Sequence, residues 1–400
     1  MKKISVVGCS MGYSSLLTEQ AKETIKNSQL IIGSDRILET LSFSNCEKIA
    51  SKSATEIIKI VEECDDENIV IAVSGDTGFF SMAKIIGDKI SEKNLQVEME
   101  FVCGISSMCY FFNALQKSYT NCQTISIHGR KISVANTVLH SEKTFGITST
   151  GEDMEYVFDC LIKGGFGDVP IFIGENLSYE DEIITKGTPN SLKGMSFGGL
   201  CVFLVENHNP RGYVNIPDTD FNRGKSPMTK SDIRALSIIK LGITKNSIVY
   251  DIGAGTGSIC TEIAVNFPSA KIFAFEKNPD AIGVLKENIA KFDCKNVSVF
   301  EGTAPNVLIY EQPADFAFIG GSGGNLKDII NVLRRKNPRV KICITAISLQ
   351  TLGTVIDYIK ENNIENYDIS QHSSAFTKKL AMHDMLTANN PVFIIVFGGE

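Results

Sequence analysis

At 400 residues the chain exceeds the ~100–200 residues of a typical single domain, so two hydrophobic cores are expected. Its 43% hydrophobic and 21% charged residues exclude general disorder, and a net charge of −7 argues against a broad basic surface for nucleic acid. Eleven cysteines without CxxC pairs give no disulfide framework, five histidines without ligand spacing give no metal site, and no apolar run approaches the ~18 residues of a membrane span. A soluble, cytoplasmic protein with reduced thiols is the expectation.

The chain opens on Met1-Lys2-Lys3 and a short apolar run that enters a glycine turn, which reads as a first strand over 4–7 and not as a signal core. A helix over about 14–27, a strand over 30–32 and a strand over 69–73 leading into Gly75-Asp76 follow. Later runs over 144–148, 170–173 and 200–205 read as strands, the last two apolar enough to be buried. Between Glu206 and Met228, Pro, Gly, Asn and Asp dominate and no apolar period survives, so residues 207–226 read as a linker between a domain at 1–206 and one at 227–400. The second domain should open with a helix capped by Thr229 or Ser231, with Ile233, Leu236, Ile239 and Leu241 at helical spacing. A doubly wound βαβ series then begins, with strands over 248–251, 271–275 and 297–300 and helices through 261–265 and 279–291.

Chemistry concentrates first in Asp251-Ile-Gly253-Ala254-Gly255-Thr256-Gly257-Ser258, which follows a strand and opens a helix. Glycines there let backbone approach a ligand, and the helix start offers unpaired N–H donors. Ser258 stands where a nicotinamide fingerprint needs its third glycine, so hydride transfer is disfavoured. Glu276, 19 residues after Gly257, is placed to accept hydrogen bonds from a ribose. Both features suit S-adenosylmethionine (SAM), whose amino-acid ammonium Asp251 can meet. Two more loops end strands: Glu301-Gly302-Thr303-Ala304-Pro305, and Gly320-Gly321-Ser322-Gly323-Gly324, where a flat substrate can approach backbone.

Together with Pro227-Met-Thr229-Lys230 and Asn390-Pro-Val-Phe393, these motifs resemble the CbiT family, the decarboxylating precorrin-6B C15-methyltransferases, over about residues 222–400. The resemblance implies a Rossmann-like class I SAM methyltransferase domain with Thr229, Gly253, Ala254, Gly255, Thr256, Gly257, Glu276 and Ala304 around the cofactor; Asp251 and Thr303 join them as cofactor-side candidates from their places at strand ends. Lys230, Arg234, Gly321, Ser322 and Gly323 are the substrate-side candidates, the two cations as part of a rim facing substrate carboxylates.

In the first half, Val7-Gly8-Cys-Ser-Met11-Gly12, Val73-Ser74-Gly75-Asp76-Thr77-Gly78-Phe79 and Cys103-Gly104-Ile105-Ser106-Ser107 each end a strand and can converge at one sheet edge. With Ile32-Gly-Ser-Asp-Arg36 and Ser126-Ile-His128-Gly-Arg130 they resemble the CbiE family of tetrapyrrole C5-methyltransferases. That family has a two-lobed fold, the class III methyltransferase type, with SAM between the lobes. The resemblance implies SAM contacts at Met11, Ser74, Gly75, Asp76, Phe79, Ser106 and Ser107, and His128 and Arg130 as substrate-side candidates. The chain departs from the wider family pattern at Gly8-Cys-Ser-Met-Gly12, where Gly-x-Gly-Pro-Gly is usual, and at Gly75-Asp76-Thr77, where Gly-Asp-Pro is usual; both lose a loop-stiffening proline.

The whole chain therefore resembles a CbiE/CbiT fusion of cobalamin biosynthesis. That implies two SAM sites, a corrin-precursor substrate methylated at C5 and C15 with loss of the C12 acetate carboxyl, and a homo-oligomer through the C-terminal domain; from charge and hydropathy, no nucleic-acid or membrane partner is expected. Competing readings are a SAM-dependent methyltransferase of RNA or another small molecule, and a SAM-binding sensor with one inactive half.

Overall fold

The computed structural model describes residues 2–128, 132–199, 201–309, 311–380 and 382–399. Its described residues fall into two units, one within 1–130, 141–162 and 166–208, the other within 131–140, 163–165 and 209–400.

The first unit begins with strands β1 (Lys2–Gly8), β2 (Leu30–Gly33), β3 (Glu47–Ala50), β4 (Asn68–Val73) and β5 (Val97–Val102). They form a parallel sheet in the order β3-β2-β4-β1-β5. β4 is buried along Ile69–Val73, as a central strand covered on both faces must be. A second sheet holds β6 (Cys122–Ser126), β7 (Lys143–Ile147), β8 (Ile171–Glu175), β9 (Ile183–Gly187) and β10 (Cys201–Glu206) in the order β6-β7-β10-β8-β9. Only β6 and β7 pair in parallel in it. Two sheets make the two lobes. The single helix expected over 14–27 is instead a 3-10 turn, Ser14–Leu16, and a helix, Glu19–Lys26. Leu17 is extended between them, and Thr18 caps the second by accepting from the Ala21 N–H at 3.1 Å.

The second unit has one seven-stranded sheet built from β11 (Ile248–Ile252), β12 (Lys271–Glu276), β13 (Val297–Glu301), β14 (Phe316–Ile319), β15 (Lys341–Ala346) and β16 (Tyr367–His372). An exposed hairpin, β17 (Ala375–Leu380) and β18 (His383–Ala388), precedes β19 (Val392–Phe397), which completes the sheet. The order is β13-β12-β11-β14-β15-β19-β16, parallel through β15, with β19 antiparallel to both neighbours. The carboxyl ends of β11 to β16 therefore share one edge, the place where ligands bind in doubly wound sheets.

Three expectations change here. Residues 209–226 are not a free linker: Ile216 and Phe221 are buried in the second unit's core, although they follow no helix or strand period. What fixes them is polar: Val214 and Asn222 N–H groups donate to Asn266 and Asn288 side chains at 2.6 and 2.8 Å. The helix Val134–Leu139 also clusters with the second unit, where Asn136 Nδ2 donates to the Phe292 carbonyl at 3.3 Å. The opening helix is Ser231–Leu241 with Lys230 at the N-cap position and no side-chain capping bond, so neither Thr229 nor Ser231 caps it.

Candidate active site

In the second unit the glycine turn after β11 carries three positive φ values, at Gly253 (70°), Gly255 (56°) and Gly257 (77°). A Cβ on Gly253 would stand 2.5 Å from the Gly321 carbonyl oxygen, so the turn and the glycine loop after β14 meet backbone to backbone. Gly257 serves a different purpose. A Cβ there would stand 2.1 Å from Leu285 Cδ1, and the residue starts the helix Ser258–Asn266 without lining the cavity.

That cavity measures 720 Å³, within the range of small-molecule sites. Thr229, Lys230, Asp251, Gly253, Ala254, Gly255, Thr256, Glu276, Thr303 and Ala304 line it, together with Gly321, Ser322 and Gly323. The sequence-predicted residues of this unit thus converge, apart from Gly257 and Arg234.

Glu276 is held by the main chain. Its Oε2 accepts from the Gly255 N–H at 2.8 Å and its Oε1 from the Lys277 and Asn278 N–H groups at 2.9 Å each. Asp251, 1% exposed, accepts from the Cys260 N–H at 3.0 Å through Oδ2, while Oδ1 has no partner among the described residues. Burial pushes its carboxyl up to about 7; the Cys260 N–H opposes this and the Glu276 charge reinforces it. Thr256 Oγ1 is likewise buried without a partner. Both atoms belong to residues that line the cavity, so a bound ligand or water there can supply the missing bond.

Arg234 is not part of a cationic rim. Its side chain is fully buried, with Nε donating to Glu262 Oε2 at 2.6 Å and Nη1 to Asp218 Oδ1 at 3.2 Å and the Thr229 carbonyl at 2.9 Å. Nη2 donates to the Ile216 carbonyl, and Tyr213 donates its hydroxyl to Glu262 Oε1 at 2.5 Å. The guanidinium therefore ties the 213–229 segment, with Thr229 at its end, to the helices behind the cavity. Lys230 stays on the cavity wall and pairs with Asp218 at 3.8 Å.

Sequence reading missed the far side of the cavity, where Thr345, Ser348, His372, Ser374, Asn389 and Asn390 stand. The Asn390-Pro-Val-Phe393 motif was the one signal for it; β16 and the hairpin carry no glycine signature.

In the first unit the three loops do meet. Ser10 and Gly75 exchange main-chain bonds at 3.1 and 2.6 Å, Asp76 Oδ2 accepts from the Gly104 N–H at 3.0 Å, and Ser10 Oγ accepts from the Ile105 N–H at 3.3 Å. A Cβ on Gly104 would stand 2.3 Å from the Gly75 carbonyl oxygen and 2.5 Å from that of Gly8. Arg36 connects two of these loops: it donates to the Met11 carbonyl at 3.4 Å and to Ser74 Oγ at 3.3 Å. It also reaches the Tyr179 hydroxyl at 2.7 Å, from the second lobe. Met11 is buried in an aromatic cluster with Phe111, Phe112 and Phe145, and Phe79 packs against it. Ser106 caps the helix Ser107–Ala114 through the Cys109 N–H at 3.1 Å, placing Ser107 in its first turn beside the loop junction. His128 is solvent-exposed, and Arg130 lies outside the described residues.

A two-lobed α/β unit and a Rossmann-like unit, each gathering strand-end loops into one place, define a chain with two methyltransferase-type domains. The tetrapyrrole (corrin/porphyrin) methylase model matches residues 3–193, and the precorrin methyltransferase domain model matches residues 220–395. The cobalt-precorrin-6B C(15)-methyltransferase (decarboxylating) of Salmonella typhimurium is 35% identical over 180 residues, covering 44% of this chain and 93% of that protein. A probable enzyme of the same name from Methanobrevibacter smithii is 36% identical, covering 42% of this chain and 89% of its own length. Among solved structures, a precorrin-6Y C5,15-methyltransferase from Geobacter metallireducens is 32% identical, with a TM-score of 0.44, covering 46% of this chain and 97% of that one. The precorrin-6Y methylase of Archaeoglobus fulgidus is 23% identical, with a TM-score of 0.41, covering 52% and 98%. The chain belongs to the precorrin methyltransferases, enzymes that use SAM. Among the described residues no helix is long and apolar enough to cross a membrane.

Proposed function

We propose that this chain is a bifunctional precorrin-6Y C5,15-methyltransferase (decarboxylating) with one SAM site per unit. The first unit methylates C5 of a corrin precursor, precorrin-6B or its cobalt form; the second methylates C15 and releases the C12 acetate carboxyl as CO2. The work is done in the cytoplasm on a free tetrapyrrole. The observation that carries this reading is the second unit's cavity, where an unpartnered buried carboxylate oxygen on Asp251 and a main-chain-clamped Glu276 stand one strand apart.

These residues fit SAM. Asp251 Oδ1 offers the acceptor that an ammonium needs, Glu276 ends the next strand on the cavity wall where a carboxylate can accept from a ribose hydroxyl, and Gly253 lets the turn pack against the Gly321 main chain beside the cavity. SAM supplies the methyl on a sulfonium leaving group, so for the carbon–carbon bond-forming step the protein has mainly to position and desolvate the reactants. In the first unit Gly75, Asp76, Ser106 and Ser107 would hold the cofactor, with Arg36 fixing the Met11 and Ser74 loops.

Selective damage tests the two-site reading. Gly253→Ala puts a methyl group into Gly321 backbone and should abolish C15 methylation and CO2 release while C5 methylation persists; Gly104→Ala should do the reverse. Mass spectrometry of the product reads both, and loss of both methyls in either variant, with the fold intact by circular dichroism, would contradict the reading. Arg36→Met should weaken SAM binding at the first site by at least about tenfold, since it removes charge-assisted bonds to both loops. Calorimetric titration in a Gly253→Ala background isolates that site.

A further inference from the structure

We propose that His372 is the acid–base residue of the second unit, the side chain that protonates the carbon losing CO2. The inference rests on the reading of this unit as a decarboxylating methyltransferase.

The cavity is much wider than SAM requires. It is lined from the loop after β13 (Gly302, Thr303) to the end of β16 (His372), six strand spacings of about 4.8 Å, on the order of 29 Å. The β11 to β13 side carries the residues suited to SAM, so the β14 to β16 side is left for a large second reactant. His372 stands on that side: it pairs with Val392 across β16 and β19, and Ala346 pairs with Phe393 across β15 and β19. Its Nε2 lies 2.9 Å from Ser370 Oγ, two residues back on the same strand face, which orients the half-buried ring and leaves Nδ1 for a ligand.

The other titratable groups of the described lining are poorly suited to this step. Asp251 and Glu276 sit on the cofactor side, bound to main-chain N–H groups. Lys230 pairs with Asp218, and Lys277, whose Nζ stands beside Gly323 in the loop after β14, is placed to pair with a substrate carboxylate as a fixed cation.

The chemistry needs one proton in and gives one out. When the side-chain CH2–COO⁻ bond breaks, CO2 leaves and its electron pair enters the conjugated macrocycle. That pair then forms a C–H bond with the proton of the His372 imidazolium, giving a methyl group. Replacing hydrogen by methyl at C15 frees one proton, which restores the imidazolium. Atoms and charge balance without an oxidant or reductant.

The test uses the 400-residue chain with SAM and cobalt-precorrin-6B, comparing wild type, His372→Ala and His372→Asn. Both variants should release CO2 about 100-fold more slowly, bind SAM within twofold of wild type, and keep C5 methylation. Added imidazole should restore part of the His372→Ala activity. CO2 release within threefold of wild type would overturn the proposal. So would a loss without imidazole rescue, which would make His372 a positioning residue, or a parallel loss of SAM binding. If the wild type releases no CO2, the decarboxylating reading itself fails.

Discussion

Asp251→Asn is expected to weaken SAM binding at the second site roughly 10- to 150-fold, the cost of replacing a buried charge-assisted bond by a neutral one. The group sits at the end of a central strand, 1% exposed, with one oxygen satisfied by the Cys260 N–H and the other unpartnered. Its sign with pH is fixed by burial. Because the carboxyl is raised to about 7 in the folded protein, the folded state holds this proton more tightly than the unfolded chain, whose value lies near 3.9. The resulting loss of stability is absent below about pH 4, grows between there and about 7, and is complete above. An ammonium beside the ionised form reverses the balance, so SAM affinity should rise as pH increases through about 7 and then level off. Titration calorimetry from pH 5.5 to 8.5, in a Gly104→Ala background to isolate the second site, should show that rise in Asp251 protein and a flat profile in the Asn variant. An equal pH response in both would refute this role for Asp251.

Arg234→Met should be the most damaging single substitution for the stability of the second unit. It strands Glu262, itself fully buried, without its cation, and releases the Ile216 and Thr229 carbonyls. Breaking a buried pair from one side costs about 3–5 kcal/mol, a large fraction of a domain's stability. Paired replacement, Arg234→Met with Glu262→Met, should recover part of that loss, because the fully buried Glu262 charge is no longer left alone, while the Ile216 N–H and the Tyr213 hydroxyl lose their acceptor. Urea unfolding followed by a probe in the second unit measures both. A single-variant loss below about 1 kcal/mol would mean the pair is not the anchor of the 213–229 segment.

Glycine and acidic signatures made the first half of the second site legible before any fold was known. Gly253, Gly255 and Glu276 announce themselves because their chemistry is local: a positive φ, a close backbone approach, a carboxylate at a strand end. Arg234 was misread for the opposite reason. A sequence records its charge, whereas its burial depends on Glu262 and Asp218, 28 and 16 residues away. The 207–226 segment misled similarly: it lacks a period because side chains of Asn266 and Asn288 hold it, and such long-range bonds leave no local trace. His372 and Ser374 were invisible because β19 returns antiparallel between β15 and β16, a crossing that only topology brings to the cavity edge. In the first unit the three strand-end loops were readable from their glycines, while Arg36 and Tyr179, 143 residues apart, meet only across the two lobes.

The most direct test is anaerobic incubation of the purified protein with precorrin-6B, or its cobalt form, and methyl-labelled SAM, with transferred methyls and lost CO2 counted by mass spectrometry. Two labelled methyls and one CO2 per tetrapyrrole is the predicted result; one methyl with CO2 would leave the first unit without its proposed activity, and no label on either substrate would contradict the account as a whole.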